Sequence, residues 1–151
     1  MSETSEAAGR TDLLATFYIR EAHCALDAAG VQEVIRLGPL TPVRYSPEEV
    51  LGIINLRGRI VTVLDVGLEL GFAKVTPGPE TRVFIVEDRG EFIGLLVDRV
   101  GEVVETDGSR LEAPPANVAQ AQSRFFKGIC RAGGKVIALV DVNQLLAETT
   151  A

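Results

Sequence analysis

Few residues in this chain could perform chemistry. The one histidine, His23, stands beside Cys24, and the second cysteine, Cys130, lies 106 residues further along. A thiol and an imidazole could form a nucleophile–base pair, but neighbours in a strand point to opposite faces, so these two are not a natural dyad. One histidine and two distant cysteines also lack the ligand spacing of a nitrogen or sulfur metal site. Buried, inert cysteines are the simpler interpretation, and a disulfide or a reactive thiol stays open as the alternative.

Other kinds of reactive site are equally poorly supported. The acidic pairs Glu48-Glu49 and Glu87-Asp88 lie where strand-like runs begin or end, and this placement is typical of solvated surface. The glycines Gly52, Gly58 and Gly71 have neither the spacing nor the strand-to-helix setting of a phosphate-binding loop. We therefore expect a protein without catalytic residues, metal or cofactor.

Arg57 is the most informative charged residue. It lies at the end of Asn55-Leu56-Arg57, in a turn between two apolar runs. It could be an ordinary exposed turn arginine. Alternatively, a carboxylate holds its planar guanidinium and the pair shapes a surface. Glu33 is the best candidate for that carboxylate, since it projects from a strand-like run of the same half of the chain.

The elements around Arg57 occur twice. The stretch Gly52–Val66 returns 76 residues later as Gly128–Val142, and Val31–Ile35 is echoed by Val100–Val104. The chain is therefore predicted to be one structural unit used twice. Residues that the two copies share are then expected to maintain the fold, whereas residues that differ between the copies are candidates for function. The clearest difference is that Asn55-Leu56-Arg57 becomes Arg131-Ala132-Gly133, so Glu102, the counterpart of Glu33, has no equivalent arginine.

The repeated unit is predicted to be β-structure. Runs rich in β-branched and aliphatic residues alternate with turns of Gly, Pro or Asp, a pattern typical of small barrels or sandwiches. Asp65 and Asp141 each close an apolar run, and both are predicted to cap a short helix. The ten predicted strands are Leu14–Arg20, His23–Asp27, Val31–Leu37, Leu51–Leu56, Ile60–Leu64, Arg82–Glu87, Phe92–Val97, Val100–Glu105, Phe126–Arg131 and Val136–Val140.

Composition excludes several classes of partner. The net charge of −6 argues against nucleic-acid binding, because such proteins carry a basic surface that tracks phosphates. No apolar run approaches the roughly 20 residues that a membrane span needs, and the first ten residues are polar and acidic, unlike a signal peptide. A cytoplasmic protein that binds other proteins is the expectation.

Four blocks of sequence resemble the family of CheW-type chemotaxis coupling proteins. They are Val31–Val34, Gly52–Asp65, Gly94–Val103 and Gly128–Val142, and the resemblance runs from about Leu13 to Leu146. It implies two five-stranded SH3-like β-barrels with a few short helices, packed about a shared apolar core. One departure is Thr62, where the family usually has proline; threonine restores a backbone donor and suits a strand. It leaves the fold unaffected but could alter the geometry beside Arg57.

The resemblance also implies an activity and partners. Proteins of this family are non-enzymatic adaptors in two-component signal transduction. They tie the cytoplasmic tips of methyl-accepting chemoreceptors to the regulatory domain of the histidine kinase CheA, which has the same double-barrel shape. The chain would then be a stand-alone adaptor, monomeric when free and associated with membrane-anchored receptor arrays. A homologue that serves another chemosensory pathway, such as surface motility or gene regulation, and a thiol-redox protein remain as alternatives.

These inferences assign boundaries and surfaces. We expect a disordered lead-in at 1–11 and a CheW-like domain at 12–148, with barrels at about 13–72 and 81–147, a linker at 73–80 and a tail at 149–151. An adaptor for two partners needs two separate surfaces. The expected receptor-binding residues are Val31, Glu33, Asn55, Leu56 and Arg57, and the weaker expectations for kinase contact are Leu40, Val43, Gly94 and Leu96.

Overall fold

The computed structural model describes residues 11–107, 111–113, 124–132 and 134–150. All ten predicted strands are present, with ends that differ from the predicted ones by at most three residues. Two short helices, α1 (Val66–Glu69) and α2 (Val142–Thr150), and a 3-10 turn at Ala28–Gly30 complete the elements. The strands are β1 (Thr11–Ile19), β2 (Ala22–Asp27), β3 (Val31–Ile35), β4 (Val50–Leu56), β5 (Arg59–Asp65), β6 (Arg82–Asp88), β7 (Glu91–Val97), β8 (Arg99–Asp107), β9 (Phe126–Ala132) and β10 (Lys135–Val140).

The strands form two five-stranded sheets with the same topology. One has the order β8-β1-β2-β10-β9 and the other β3-β6-β7-β5-β4. Each strand in one order is replaced in the other by the strand five places earlier or later in the chain. Strands β1–β5 and β6–β10 are therefore the two copies of the repeat. The first hairpin of each copy lies in the sheet of the other copy. Hairpin β1–β2 lies in the sheet with β8, β9 and β10, and hairpin β6–β7 lies in the sheet with β3, β4 and β5. The hairpins join through parallel pairs, β2 with β10 and β7 with β5.

This exchange corrects the expected barrel boundaries. A first barrel at 13–72 and a second at 81–147 would keep each copy in its own sheet, but β1 and β2 pair with β8 and β10. The expected linker at 73–80 is partly structural, because Val75 is buried. Within the described residues no hydrogen-bonded ladder joins the two edge strands of either sheet, so each is an open barrel rather than a closed one.

The ends of the chain are described only in part. Residues 1–10 of the expected lead-in and residue 151 of the expected tail lie outside the described residues. Strand β1 begins at Thr11 and helix α2 continues to Thr150.

The apolar core is shared between the sheets, as predicted. Phe17 of β1 packs edge-to-face on Phe84 of β6, with ring centroids 5.7 Å apart. The same cluster takes in Val63 and Leu95 from one sheet and Cys24 from the other. Neither sheet could bury its inner face without the other, so burial of this apolar surface stabilises both together.

The two capping aspartates are confirmed. Asp65 accepts a hydrogen bond from the Leu68 N–H at 3.1 Å, and Asp141 accepts one from the Gln144 N–H at the same distance. Asp65 is also fully buried and accepts from the Val75 N–H at 3.0 Å. Burial raises the pKa of the Asp65 carboxyl, and the backbone N–H groups that point at it oppose that shift.

The aspartates should therefore differ in their effect on stability. We expect Asp65→Ala to cost about 2–4 kcal/mol, because it removes a cap and leaves the buried Val75 N–H without its partner. Asp141→Ala, the matched change in the other copy, should cost about 1 kcal/mol, as for loss of a cap alone. Urea unfolding of both variants measures the difference. Equal losses would contradict the role given to Val75.

Candidate functional surface

The predicted ion pair between Glu33 and Arg57 is present. The Arg57 guanidinium contacts the Glu33 carboxylate, and the two side chains are 69% and 31% exposed. The pKa of Arg57 is raised, first because its side chain donates a hydrogen bond to Glu33 and second because the carboxylate is negatively charged. The pair therefore lies on the surface and Arg57 remains a cation at any physiological pH.

The pair connects the two edges of one sheet. Glu33 belongs to the edge strand β3, and Arg57 lies at the turn that leaves the opposite edge strand, β4. A sheet whose edges meet in this way is strongly curved, as an open barrel requires. The Glu33–Arg57 ion pair thus links, through side chains, two edge strands that no described backbone ladder joins.

The backbone of the β4–β5 turn sets the position of Arg57. Arg57 and Gly58 both have positive φ, at 51° and 85°. These values suit a two-residue hairpin turn, whose twist matches that of its strands. The side-chain oxygen of Asn55, Oδ1, accepts a hydrogen bond from the Gly58 N–H at 2.8 Å, which stabilises the turn. Asn55 is exposed, so it remains available to a partner while it holds the turn.

The second copy has a different ion pair. Glu102 is exposed, and Gly133, the counterpart of Arg57, lies outside the described residues. Arg131, the counterpart of Asn55, instead bonds Glu112, with 3.0 Å from Nε to the carboxylate. Both side chains are more than half exposed. The copies therefore share their backbone design and differ in the charges displayed around this turn.

Apolar residues lie on the same strands as the Glu33–Arg57 pair. Val31 and Leu56 are half-buried and pack against the core. Sequence reasoning missed two more exposed residues, Val34 at 44% and Ile60 at 64%. Alternation along β3 places Val34 on the face opposite Glu33, whereas Ile60 lies directly across from Asn55 in the β4–β5 ladder. Apolar groups beside a fixed ion pair form a surface suited to another protein.

A groove lies next to this surface. It has a volume of about 500 Å³ and runs between the β4–β5 and β6–β7 turns. The Arg59 guanidinium covers one side, 4.2 Å from the centre of the Phe92 ring. Thr62 also lines the groove, so the residue that departs from the family pattern lies in the groove next to the β4–β5 turn.

Two of the expected kinase-contact residues are buried, and that expectation was wrong. Gly94 and Leu96 lie on β7, a central strand, where Leu96 is fully buried. A Cβ at Gly94 would stand 2.8 Å from the Val83 side chain, so the glycine permits close packing. Leu40 is half-buried against the core, whereas Val43 is 40% exposed and can reach a partner.

The thiols have no arrangement that would make them reactive. Cys24 lies in the main core, and burial raises its pKa to about 12. Cys130 belongs to a separate apolar cluster, and burial raises its pKa as well. Both are therefore protonated at neutral pH, and a thiol is a poor nucleophile.

His23 is not placed as a base. Its ring stacks on Tyr18 with centroids 4.4 Å apart. Its pKa is lowered, mainly by burial and further by the positive charges of Lys135 and Arg99. In the described part of the chain, no three His, Cys, Asp or Glu side chains are grouped to hold a metal. Across those same residues, no helix is long and apolar enough to cross a membrane.

Comparisons with known proteins agree with this architecture. The family model described as the CheW-like domain matches residues 14–150. The chain is 27% identical to the probable chemotaxis protein CheW of Rhizobium etli, over 93% of this chain and 90% of that protein. It is 30% identical to the chemotaxis protein CheW of Thermotoga maritima, over 89% and 87%. The crystal structure of the scaffolding protein TtCheW from Thermoanaerobacter tengcongensis superposes with a TM-score of 0.80 at 34% identity, covering 89% and 86%. This chain therefore belongs to the CheW-like domain family and is a chemotaxis adaptor.

Proposed function

We propose that this adaptor couples the cytoplasmic tips of chemoreceptors to the regulatory domain of the histidine kinase CheA, without catalysing a reaction itself. The observation that carries the proposal is the exposed Glu33–Arg57 pair, which has no equivalent in the other copy because the corresponding residues are Glu102 and Gly133. A purely structural pair would be expected at the same place in both copies, since their backbones match. The protein works in the cytoplasm, beside membrane-anchored receptor arrays, and is monomeric when free.

The receptor contacts the surface around the pair. This receptor surface comprises Val31, Glu33, Asn55, Leu56 and Arg57. Its centre is a guanidinium held in one orientation, and its margins are half-buried apolar groups. Arginine held in this way is frequent among residues that dominate binding energy, because little side-chain entropy is lost when the partner arrives.

The kinase contacts a different surface, since one patch cannot hold two partners at once. A double barrel can pack against the similar double barrel of the kinase regulatory domain, with apolar residues at the centre and polar residues at the rim. Of the four residues expected to take part, Val43 is exposed and Leu40 is half-buried against the core. We retain these two for the kinase surface.

The most direct test of the function is co-purification with the CheA and a receptor cytoplasmic fragment from the same organism. We expect a complex of all three proteins that forms only when this chain is present. Recovery of kinase and receptor together in its absence would contradict the coupling role. Use of the same experiment with receptors of a second chemosensory system distinguishes chemotaxis from the alternative pathways.

Arg57 provides a sharper prediction. We expect Arg57→Ala to weaken receptor binding about tenfold or more, because the fixed guanidinium is lost from the centre of the receptor surface. The melting temperature should change little, since exposed ion pairs contribute little to stability. Receptor-dependent kinase activation and a thermal melt measure the two effects.

The second copy supplies the control for this variant. Arg131→Ala also breaks one exposed arginine–glutamate pair, but away from the receptor surface. It should lower the melting temperature about as much as Arg57→Ala and leave receptor binding intact. Normal receptor coupling by Arg57→Ala, or equal loss in both variants, would remove Arg57 from the receptor surface.

A further inference from the structure

Two arginines face each other at the far end of strand β3. Ile35, its last residue, pairs with Val83 of β6 in an antiparallel register. Continuing that register by one residue places Arg36 opposite Arg82. Side chains at directly opposite positions have Cβ atoms about 5 Å apart, so the two guanidinium groups share one small region.

Both arginines line the same surface notch. Its volume is about 250 Å³, and no carboxylate is among the side chains that line it. The exposed Glu80 is close in sequence but is not part of the lining. The notch is formed by Arg36, Leu37, Pro77, Gly78, Pro79, Thr81 and Arg82.

The two positive charges in the notch are only partly satisfied. The Arg82 Nη1 donates to the carbonyl oxygens of Pro79 and Thr81, at 2.9 and 2.8 Å. These bonds orient the guanidinium without neutralising it. Arg36 is exposed and has no acidic partner among the described residues. Like charges directly opposite each other destabilise a sheet, so this arrangement is unfavourable until an anion enters it.

The pair of arginines is not a requirement of the fold. In the other copy, the equivalent positions are Leu13 on β1 and Glu105 on β8, which are themselves direct partners. The same backbone thus accepts an apolar residue opposite an acid. A basic notch is also exceptional on a chain whose net charge is −6. Arg36 and Arg82 are therefore specific to this copy and are not required by the fold.

We propose that the notch of Arg36 and Arg82 binds an oxyanion, namely a carboxylate on an acidic segment of a protein partner. Guanidinium groups bind carboxylates through two parallel hydrogen bonds, and two such groups can hold one carboxylate or two neighbouring ones. The notch is too open to enclose a free ion, so the anion is carried by a chain that covers it. Leu37, Pro77 and Pro79 provide rigid apolar contacts for that chain. This acidic-segment site is separate from the receptor and kinase surfaces proposed above.

A peptide titration of the full-length protein tests the site. The probe is a capped peptide, acetyl-Glu-Glu-Leu-Glu-Glu-amide, added to ¹⁵N-labelled protein at low salt, with inorganic phosphate as a second titrant. We expect the largest shifts around Gly78 and Thr81, and affinity for the peptide reduced about tenfold or more by Arg36→Gln or Arg82→Gln. Arg44→Gln makes the same charge change outside the notch and should bind as the wild type does. Equal binding by all four proteins would overturn the proposal, and so would phosphate binding tighter than peptide binding.

Charge reversal provides a second measurement that needs no ligand. Arg36→Glu places a carboxylate opposite Arg82 and so imitates the bound state. We expect this variant to melt at a higher temperature than the wild type at low ionic strength, with the difference shrinking as salt is added. It should also fail to bind the peptide. A melting temperature below that of the wild type at low salt would overturn the charge argument.

Discussion

A fragment spanning Leu13–Gly78, which holds one copy of the repeat except for the first two residues of β1, should be unfolded or insoluble. Of the eight strand pairings among the described residues, it retains only the β1–β2 and β4–β5 hairpins. Strand β3 pairs only with β6, and β1 loses its partner β8. Isolated hairpins are marginally stable in water, and about 70 residues cannot supply the missing core. Circular dichroism during heating should show no cooperative transition.

Complementation is the control for this fragment. The remaining residues, 79–151, carry the β6–β7 hairpin and strands β8–β10, which are the partners the fragment lacks. Co-expression of the two pieces should recover a soluble complex that melts cooperatively, because all the described strand pairings can then form, with β1 lacking only Thr11 and Asp12. A cooperative melt by the first fragment alone would show that the copy can close on itself, and would contradict the shared core.

The second large effect is expected at Val31. Val31→Arg places an extra charge on the receptor surface beside Glu33, and should abolish receptor binding while CheA binding is retained. Burying an added charge in an interface costs more free energy than the lost valine contact contributed. Pull-downs with a receptor fragment and with CheA measure the two interactions separately.

The matched control is Val100→Arg. Val100 is the counterpart of Val31 in the second copy and is 38% exposed, so the same change is made on the same kind of strand. It should leave receptor binding intact. Since Val31 also packs partly on the core, a thermal melt must show that the variant is folded. Loss of both partners from a folded Val31→Arg protein would show that the two surfaces are not separate.

Much of the local structure could be predicted from the sequence because its causes are local. Alternation and β-branched residues specify strands through short-range sterics, and all ten were found. Asp65 and Asp141 cap helices that begin at the next residue, so their partners lie within three residues. The Glu33–Arg57 pair was predictable because Arg57 occupies a position that differs between the two copies, and Glu33 lies on a strand-like run of the same copy.

The tertiary structure decided which strands pair and which faces are covered. Backbone N–H and C=O groups are the same at every residue, so no sequence signal reports that β2 joins β10 or that β5 joins β7. The expected barrel boundaries failed for that reason. Gly94 and Leu96 were assigned to a surface because a short apolar run in the sequence does not show whether one or both faces of its strand are buried. Arg36 and Arg82 are 46 residues apart in sequence, and only the pairing of β3 with β6 places their charges opposite each other.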